Sequence, residues 1–235
     1  MRYFLLSEVP FGSDGDYSEV AMLACANGFL ANALGNLQMR VVSLISKNCN
    51  GRIPDPGGSD LGGGAGVGGA GGAAEQREGW PGCARAGDLA LLAEARGLAA
   101  AMAPHMDGLA LHRALACVDA VVRHANRYVD AEAPWALRKT DPRRMRTVLW
   151  VLADTLRHVA TCCLPFMPRA SDAMLAQLGV PEGERGLRFL AVHAADEANA
   201  PRPGAPVPKP ASLFPRIAVA PAEAALAATT RAPKK

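Results

Sequence analysis

From residue 16 onward, apolar side chains return at every third or fourth position, the period of a helix that buries one face. The first such run carries Val20, Leu23, Leu30, Leu34, Leu37, Val41 and Leu44. Asp16, with Glu19 three residues on, predicts its cap, and Asn50-Gly51 its stop. Asn27 interrupts this stripe, while Gly28 and Gly35 each cost about 1 kcal/mol against Ala. Both glycines are tolerable where another helix or a ligand comes close. A second helix is predicted from Asp88, with Leu89, Leu92, Ala95, Leu98, Ala99 and Met102 on one face, ending at Pro104. Asp107 to Asp130 gives a third, through Leu111, Leu115, Val118, Val122, Ala125 and Val129. Thr140-Asp141-Pro142, a cap followed by Pro at the first helical position, opens a fourth that runs through Met145, Leu149, Leu152, Leu156, Val159 and Cys163. Pro165 and Pro168 close it, and a short fifth helix from Ser171 to Leu178 stops at Gly179. Short connections between helices of this kind predict an all-α, antiparallel helix bundle.

Three stretches fall outside this period. Residues 1–15 read as a short apolar connector that runs into a turn at Pro10, Gly12 and Gly15. Between residues 55 and 87 the core piece GGSDLGGGAGVGGAGG lacks both periodicity and apolar bulk, and reads as a flexible insertion. Gly64, Gly66 and Gly69 do stand in GxGxxG spacing, but no strand leads in and no capped helix leads out, so a nucleotide loop is not expected. Residues 181–235 form a Pro- and Ala-rich extension, expected to be irregular apart from the apolar patch SLFPRI. Residues 16–180 are therefore expected to form one helical domain. No run is expected to be apolar enough over roughly 18 residues to span a bilayer.

Composition adds exclusions. The net charge of +3 is too small to indicate nucleic acid by itself, yet Arg138, Lys139, Arg143, Arg144 and Arg146 crowd around a single acid, Asp141. A polyanion contact, or simply a solvated helix start, is expected there. Six cysteines show no CxxC pair and no His at zinc-finger spacing, so no metal site is expected. Met1 is followed by RYFLLSEVPFGSDGD, without a small-residue cleavage site, so no secretory leader is expected. Reduced thiols in a cytoplasmic or organelle-matrix protein fit this pattern. His105, His112, His124, His158 and His193 are scattered over what read as polar helix faces, and no nucleophile, carboxylate pair or metal set has catalytic spacing. No catalytic residue is assigned.

Two features suggest binding instead. Asn36 and Arg40 lie four apart, hence on one helix face, about 100° from the stripe residues Leu37 and Val41. An amide beside a guanidinium can read a base edge and hold a phosphate, or can simply face water. The other feature is Trp135, locked behind Pro134 in AEAPWALRKTDP between two predicted helices. It is either a core plug at a corner or an exposed platform on which an unpaired base could stack.

These residues sit in longer signatures: RYFLLSEVPFGSDGDYS, LANALGNLQMRVVSLISKNCNG, NRYVDAEAPWALRKTDP and LPFMP, with SLFPRI further on. In this order they resemble the C-terminal part of bacterial or organellar methionyl-tRNA synthetases, over most of residues 1 to about 180. The resemblance implies the α-helical anticodon-binding domain of a class I synthetase. It also implies that the Asn and Arg of NLxxR and the Trp of PW, here Asn36, Arg40 and Trp135, contact the CAU anticodon of methionine tRNA. Trp135 would stack on a base, with Asn36 and Arg40 bonding to base edges or backbone. Arg138, Lys139, Arg143 and Arg144 are added as possible phosphate contacts on their charge.

The sequence also departs from the family. The HxGH and KMSKS motifs that serve ATP binding and methionyl-adenylate formation are absent, so ATP and methionine are expected to bind a catalytic domain upstream in cis or supplied in trans, and this chain alone is expected to be inactive. Residues 1–15 would then be the connector that follows that domain. The Gly-rich insertion is longer than the family leads one to expect. Two alternatives remain at this level: a stand-alone tRNA-binding module, or a decayed fragment in which Trp135 is core.

Overall fold

The computed structural model describes residues 1–56, 84–186, 188 and 200–218. The core of the Gly-rich insertion, with Cys83, and the segment holding His193 lie outside the described residues. Seven α-helices are described: α1 (Arg2–Glu8), α2 (Glu19–Asn48), α3 (Ala86–Asp107), α4 (Leu111–Glu132), α5 (Pro134–Thr140), α6 (Pro142–Cys162) and α7 (Pro168–Gln177). A 3₁₀ turn follows at Glu182–Glu184. No strand occurs among the described residues beyond an isolated bridge between Arg52 and Pro206, so the protein is an all-α bundle as expected.

α6 is the axis of the bundle. Asp141 caps it, its Oδ1 accepting from the Arg144 N–H at 2.9 Å, and Pro142 takes the first helical position. The expected apolar stripe is present, but every residue from Thr147 to Cys162 is buried, because α2, α3, α4, α5 and α7 all pack against this helix. Its polar side chains must then find partners inside the protein. The Thr155 hydroxyl donates to the Val151 carbonyl, and the Trp150 indole N–H donates to the Pro201 carbonyl at 3.1 Å. Fully buried Asp154 lies 2.8 Å from Arg157 and 3.2 Å from Arg96. His158 is part of this cluster at 3.7 Å from Asp154, which corrects its placement on a polar face. Burial, together with the neighbouring Arg157 and Arg96, lowers its pKa to about 4 despite the opposing Asp154 carboxylate.

α2 departs most from expectation. Ser18 rather than Asp16 caps it, its hydroxyl accepting from the Ala21 N–H at 3.3 Å. From Ala26 to Gly35 the winding is π, and α geometry resumes over Asn36–Asn48. A wider turn shifts the register of every residue before it. Val20, placed on the buried stripe by an α period, is 78% exposed, and no residue of Glu19–Cys25 is buried, while Leu34, Leu37, Val41, Val42 and Ile45 are fully buried. α2 is also long and apolar enough, by length and composition, to cross a membrane, contrary to the expectation that no run reaches that measure.

Smaller corrections have local causes. Helix α3 begins before Asp88, which sits one turn in and accepts from the Arg85 N–H at 2.9 Å. Leu89 faces outward, and Pro104 lies inside the last turn rather than ending the helix. The N-terminal connector is partly helical, and Tyr3 joins the core with its ring stacked on Phe29. Residues 200–218 are extended as expected but run back over the bundle: the Ile53 N–H donates to the Ala205 carbonyl and the Val207 N–H to that of Gly51. Gly179, at φ +72°, lets this strap pass close, since a Cβ there would lie 2.5 Å from the Pro206 carbonyl oxygen.

Candidate functional site

At the end of α4 the chain must turn sharply before a proline, and a residue in that position is disfavoured in the right-handed helical region. Ala133 adopts the left-handed conformation instead, at φ +42° and ψ +59°. Pro134 then starts α5, so Trp135 stands in the first turn of a short helix rather than in an open break. Trp135 is 48% exposed, which excludes the core-plug reading.

Arg40 of α2 meets this ring. Its guanidinium carbon lies 5.2 Å from the indole centroid, and its Nη2 donates to Asp130 Oδ1 at 2.7 Å. One Arg thus joins three helices, with one face on an aromatic and one edge on a carboxylate. At exposed sites a cation over an indole is worth about 0.5–1 kcal/mol, and an exposed ion pair about 0.2–1 kcal/mol. Together they are small energies that hold a surface ring and a donor fork in a fixed relation. Asn36, one turn before Arg40, is exposed, and its side chain has no hydrogen bond among the described residues. The structure therefore brings Arg40 and Trp135 together and leaves the Asn36 amide facing solvent. Asp130 was missed in the sequence, although it stands inside the NRYVDAEAPW signature.

The basic residues divide. Arg138 and Lys139 are exposed in the last turn of α5, where they also complement the helix dipole, and Arg143 is exposed at the start of α6. Arg144 is not available to a phosphate. It is buried, with Nη1 and Nη2 donating to Asp88 Oδ2 and Oδ1 at 2.5 and 2.7 Å, and Nε donating to Glu132 at 3.0 Å. Burial alone would push the Asp88 carboxyl up. Bonds from Arg144, the Arg85 N–H and the Tyr128 hydroxyl instead hold it below the usual carboxylate range. Charge density along the sequence could not distinguish this Arg from its neighbour, because one helical residue turns the side chain by about 100°.

The cluster is an open surface rather than a pocket. A cavity of about 230 Å³, lined by Arg157, Thr161, Val180, Glu184, Pro201 and Arg202 among others, shares no residue with it. No group of three or more His, Cys, Asp or Glu that could hold a metal occurs among the described residues.

A family model described as the anticodon binding domain of methionyl tRNA ligase matches residues 81–226, a stretch that includes Trp135 and the strap but not Asn36 or Arg40. The chain is 40% identical over 216 residues to the methionine–tRNA ligase of Brucella suis biovar 1 and 41% identical to that of Mesorhizobium japonicum. Each alignment covers 92% of this chain and 36% of the relative. The methionine–tRNA ligase of Mycobacterium tuberculosis is 36% identical over 220 residues. Among solved structures, the free form of the Mycobacterium tuberculosis methionyl-tRNA synthetase superposes with a TM-score of 0.76 at 34% identity, covering 93% of this chain and 38% of that one. The same enzyme in complex with methionyl-adenylate gives 0.75 at 35% identity, covering 92% and 37%. The chain thus spans little more than a third of the length of these relatives.

Proposed function

Because the chain belongs to the methionyl-tRNA ligase anticodon-binding family, we propose that it recognises the CAU anticodon of methionine tRNAs and serves methionyl-tRNA aminoacylation as the C-terminal part of a methionine–tRNA ligase. The observation that carries this reading is the exposed indole of Trp135 held by Arg40. A flat ring fixed at a surface beside a guanidinium suits an unpaired base with its phosphate. Trp135 stacks on the base, while Arg40 and Asn36 supply donors and, through the Asn36 amide, an acceptor for base edges. Arg138, Lys139 and Arg143 add phosphate attraction. ATP and methionine belong to a separate catalytic part, in cis or in trans, and residues 16–180 with the strap form the RNA-reading unit. The compartment is one where translation runs, cytoplasm or organelle matrix.

Titration of the chain with an anticodon stem–loop RNA tests the reading. Trp135→Ala is expected to weaken the CAU loop roughly 5- to 150-fold, the value of one base–aromatic stack, and an altered first anticodon base should also weaken binding. Equal affinity for all loops, or indifference to Trp135→Ala, would overturn it.

A further inference from the structure

The π segment of α2 ends at Gly35, immediately before Asn36. Such winding is uncommon over more than one turn and needs support from outside the helix. The strap supplies it at three points. At the start of the segment the Asn27 amide makes a reciprocal pair with Ile217: Nδ2 donates to its carbonyl and Oδ1 accepts from its N–H, both at 2.9 Å. In the middle, Arg216 Nε donates to Asn32 Oδ1 at 2.8 Å. At the end Phe214 covers Gly35, where a Cβ would lie 3.3 Å from the ring and, within the helix itself, 2.8 Å from the Leu30 carbonyl oxygen. The strap is itself anchored upstream, where Gln177 Nε2 donates to the Ala211 carbonyl at 2.8 Å.

We propose that this strap is a positioning element for RNA recognition: Phe214 on Gly35, with Asn27 on Ile217, fixes the change from π to α winding and thereby the direction in which the Asn36 amide leaves the helix. The proposal rests on the anticodon reading and adds a second layer to it. Arg40 does not depend on the strap, because Leu37, Val41, Val42 and Ile45 are fully buried around it and Asp130 holds its guanidinium. Asn36 stands at the junction, between Gly35, which lies under Phe214, and the α portion that begins with fully buried Leu37. If the π segment relaxes to α winding, residues on its free side turn relative to the core by about 100° for each residue of register, and Asn36 is the recognition residue nearest that change.

The test uses the full chain with Phe214→Ala, Phe214→Leu and Asn27→Ala, each alone and combined with Asn36→Ala, at a temperature where circular dichroism shows every variant folded. Phe214→Ala and Asn27→Ala are expected to weaken a CAU stem–loop about 3- to 10-fold, the scale of one hydrogen bond, and Phe214→Leu by less than about twofold because it keeps the apolar cover. In the Asn36→Ala background the same changes should add less than about twofold, whereas in a Trp135→Ala background they should persist. Amide hydrogen exchange, which needs no RNA, should rise about tenfold over residues 26–36 in Phe214→Ala and stay constant over residues 147–162. Fully additive losses with Asn36→Ala, unaltered RNA affinity, or unchanged exchange over residues 26–36 would each overturn the proposal. Failure of the anticodon reading looks different: the unaltered chain would not distinguish the CAU loop from others, and this role for the strap would fall with it.

Discussion

Arg144→Ala separates a structural Arg from an RNA-binding one. In the folded protein Asp88 is fully buried and takes four bonds, two from Arg144, one from the Tyr128 hydroxyl at 2.7 Å and one from the Arg85 N–H. Removing the guanidinium leaves two of these bonds and no full positive charge against a buried carboxylate. It also strips Glu132 of its closest partner, since Arg85 approaches that side chain only to 3.6 Å. Breaking a buried pair from one side costs about 3–5 kcal/mol. At about 2–4 °C per kcal/mol for a chain of this size, the melting temperature should fall by about 6–20 °C. Thermal unfolding followed by circular dichroism at pH 7 measures this, and stem–loop affinity at low temperature should remain that of the unaltered chain. The acid limb gives a second check. Asp88 titrates below its unfolded value, near 3.9, so its contribution to stability is complete above that pH and is lost as pH falls through the folded value. The gap between variant and parent should therefore narrow below about pH 4. A melting temperature within about 2 °C of the parent, combined with weakened RNA binding, would refute the structural role.

Three further outcomes follow from the same geometry. Arg138→Ala and Lys139→Ala should leave thermal stability within about 0.5 kcal/mol and reduce the slope of log K against log salt by about 0.7–0.9 each in stem–loop titrations. His158 titrates at about 4 in the folded protein against about 6.5 unfolded, so the unfolded chain binds the extra proton between those values; stability should be full above about pH 6.5 and decline by on the order of 3 kcal/mol as pH falls to about 4. His158→Gln, which can still accept from Arg157, should flatten that limb in pH-dependent urea unfolding. Gly179→Ala should destabilise by about 1 kcal/mol or more, because it meets both a positive φ and the Pro206 carbonyl, and denaturant midpoints would show it.

What could be read from the chain depended on whether the cause was local. The cap at Asp141-Pro142, the Gly179 stop and the stripe of α4 are local effects, and periodicity located them closely. The π winding is not local. It depends on a strap nearly 200 residues away in sequence, so Asn27 read as an interruption when it is one half of a hydrogen-bonded clamp. The burial of α6 on every side follows from how many helices surround it, and no stripe on α6 itself records that number. At the site, the spacing of Asn36 and Arg40 was legible, as was the oddity of Trp135. The meeting of Arg40 with Asp130 and the indole required the tertiary fold, and so did the division of Arg143 from Arg144.

The indole N–H of Trp150, bonded to the Pro201 carbonyl, gives the molecule a built-in optical gauge. Trp150 is buried and Trp135 half open, so in a Trp80→Phe background the two should emit at different wavelengths and differ in quenching by acrylamide. RNA arriving at the surface would change the red, quenchable component. Lifting of the strap would instead open a site for water at Trp150 and shift the blue component, so that recognition and strap release are recorded as separate colours in one cuvette.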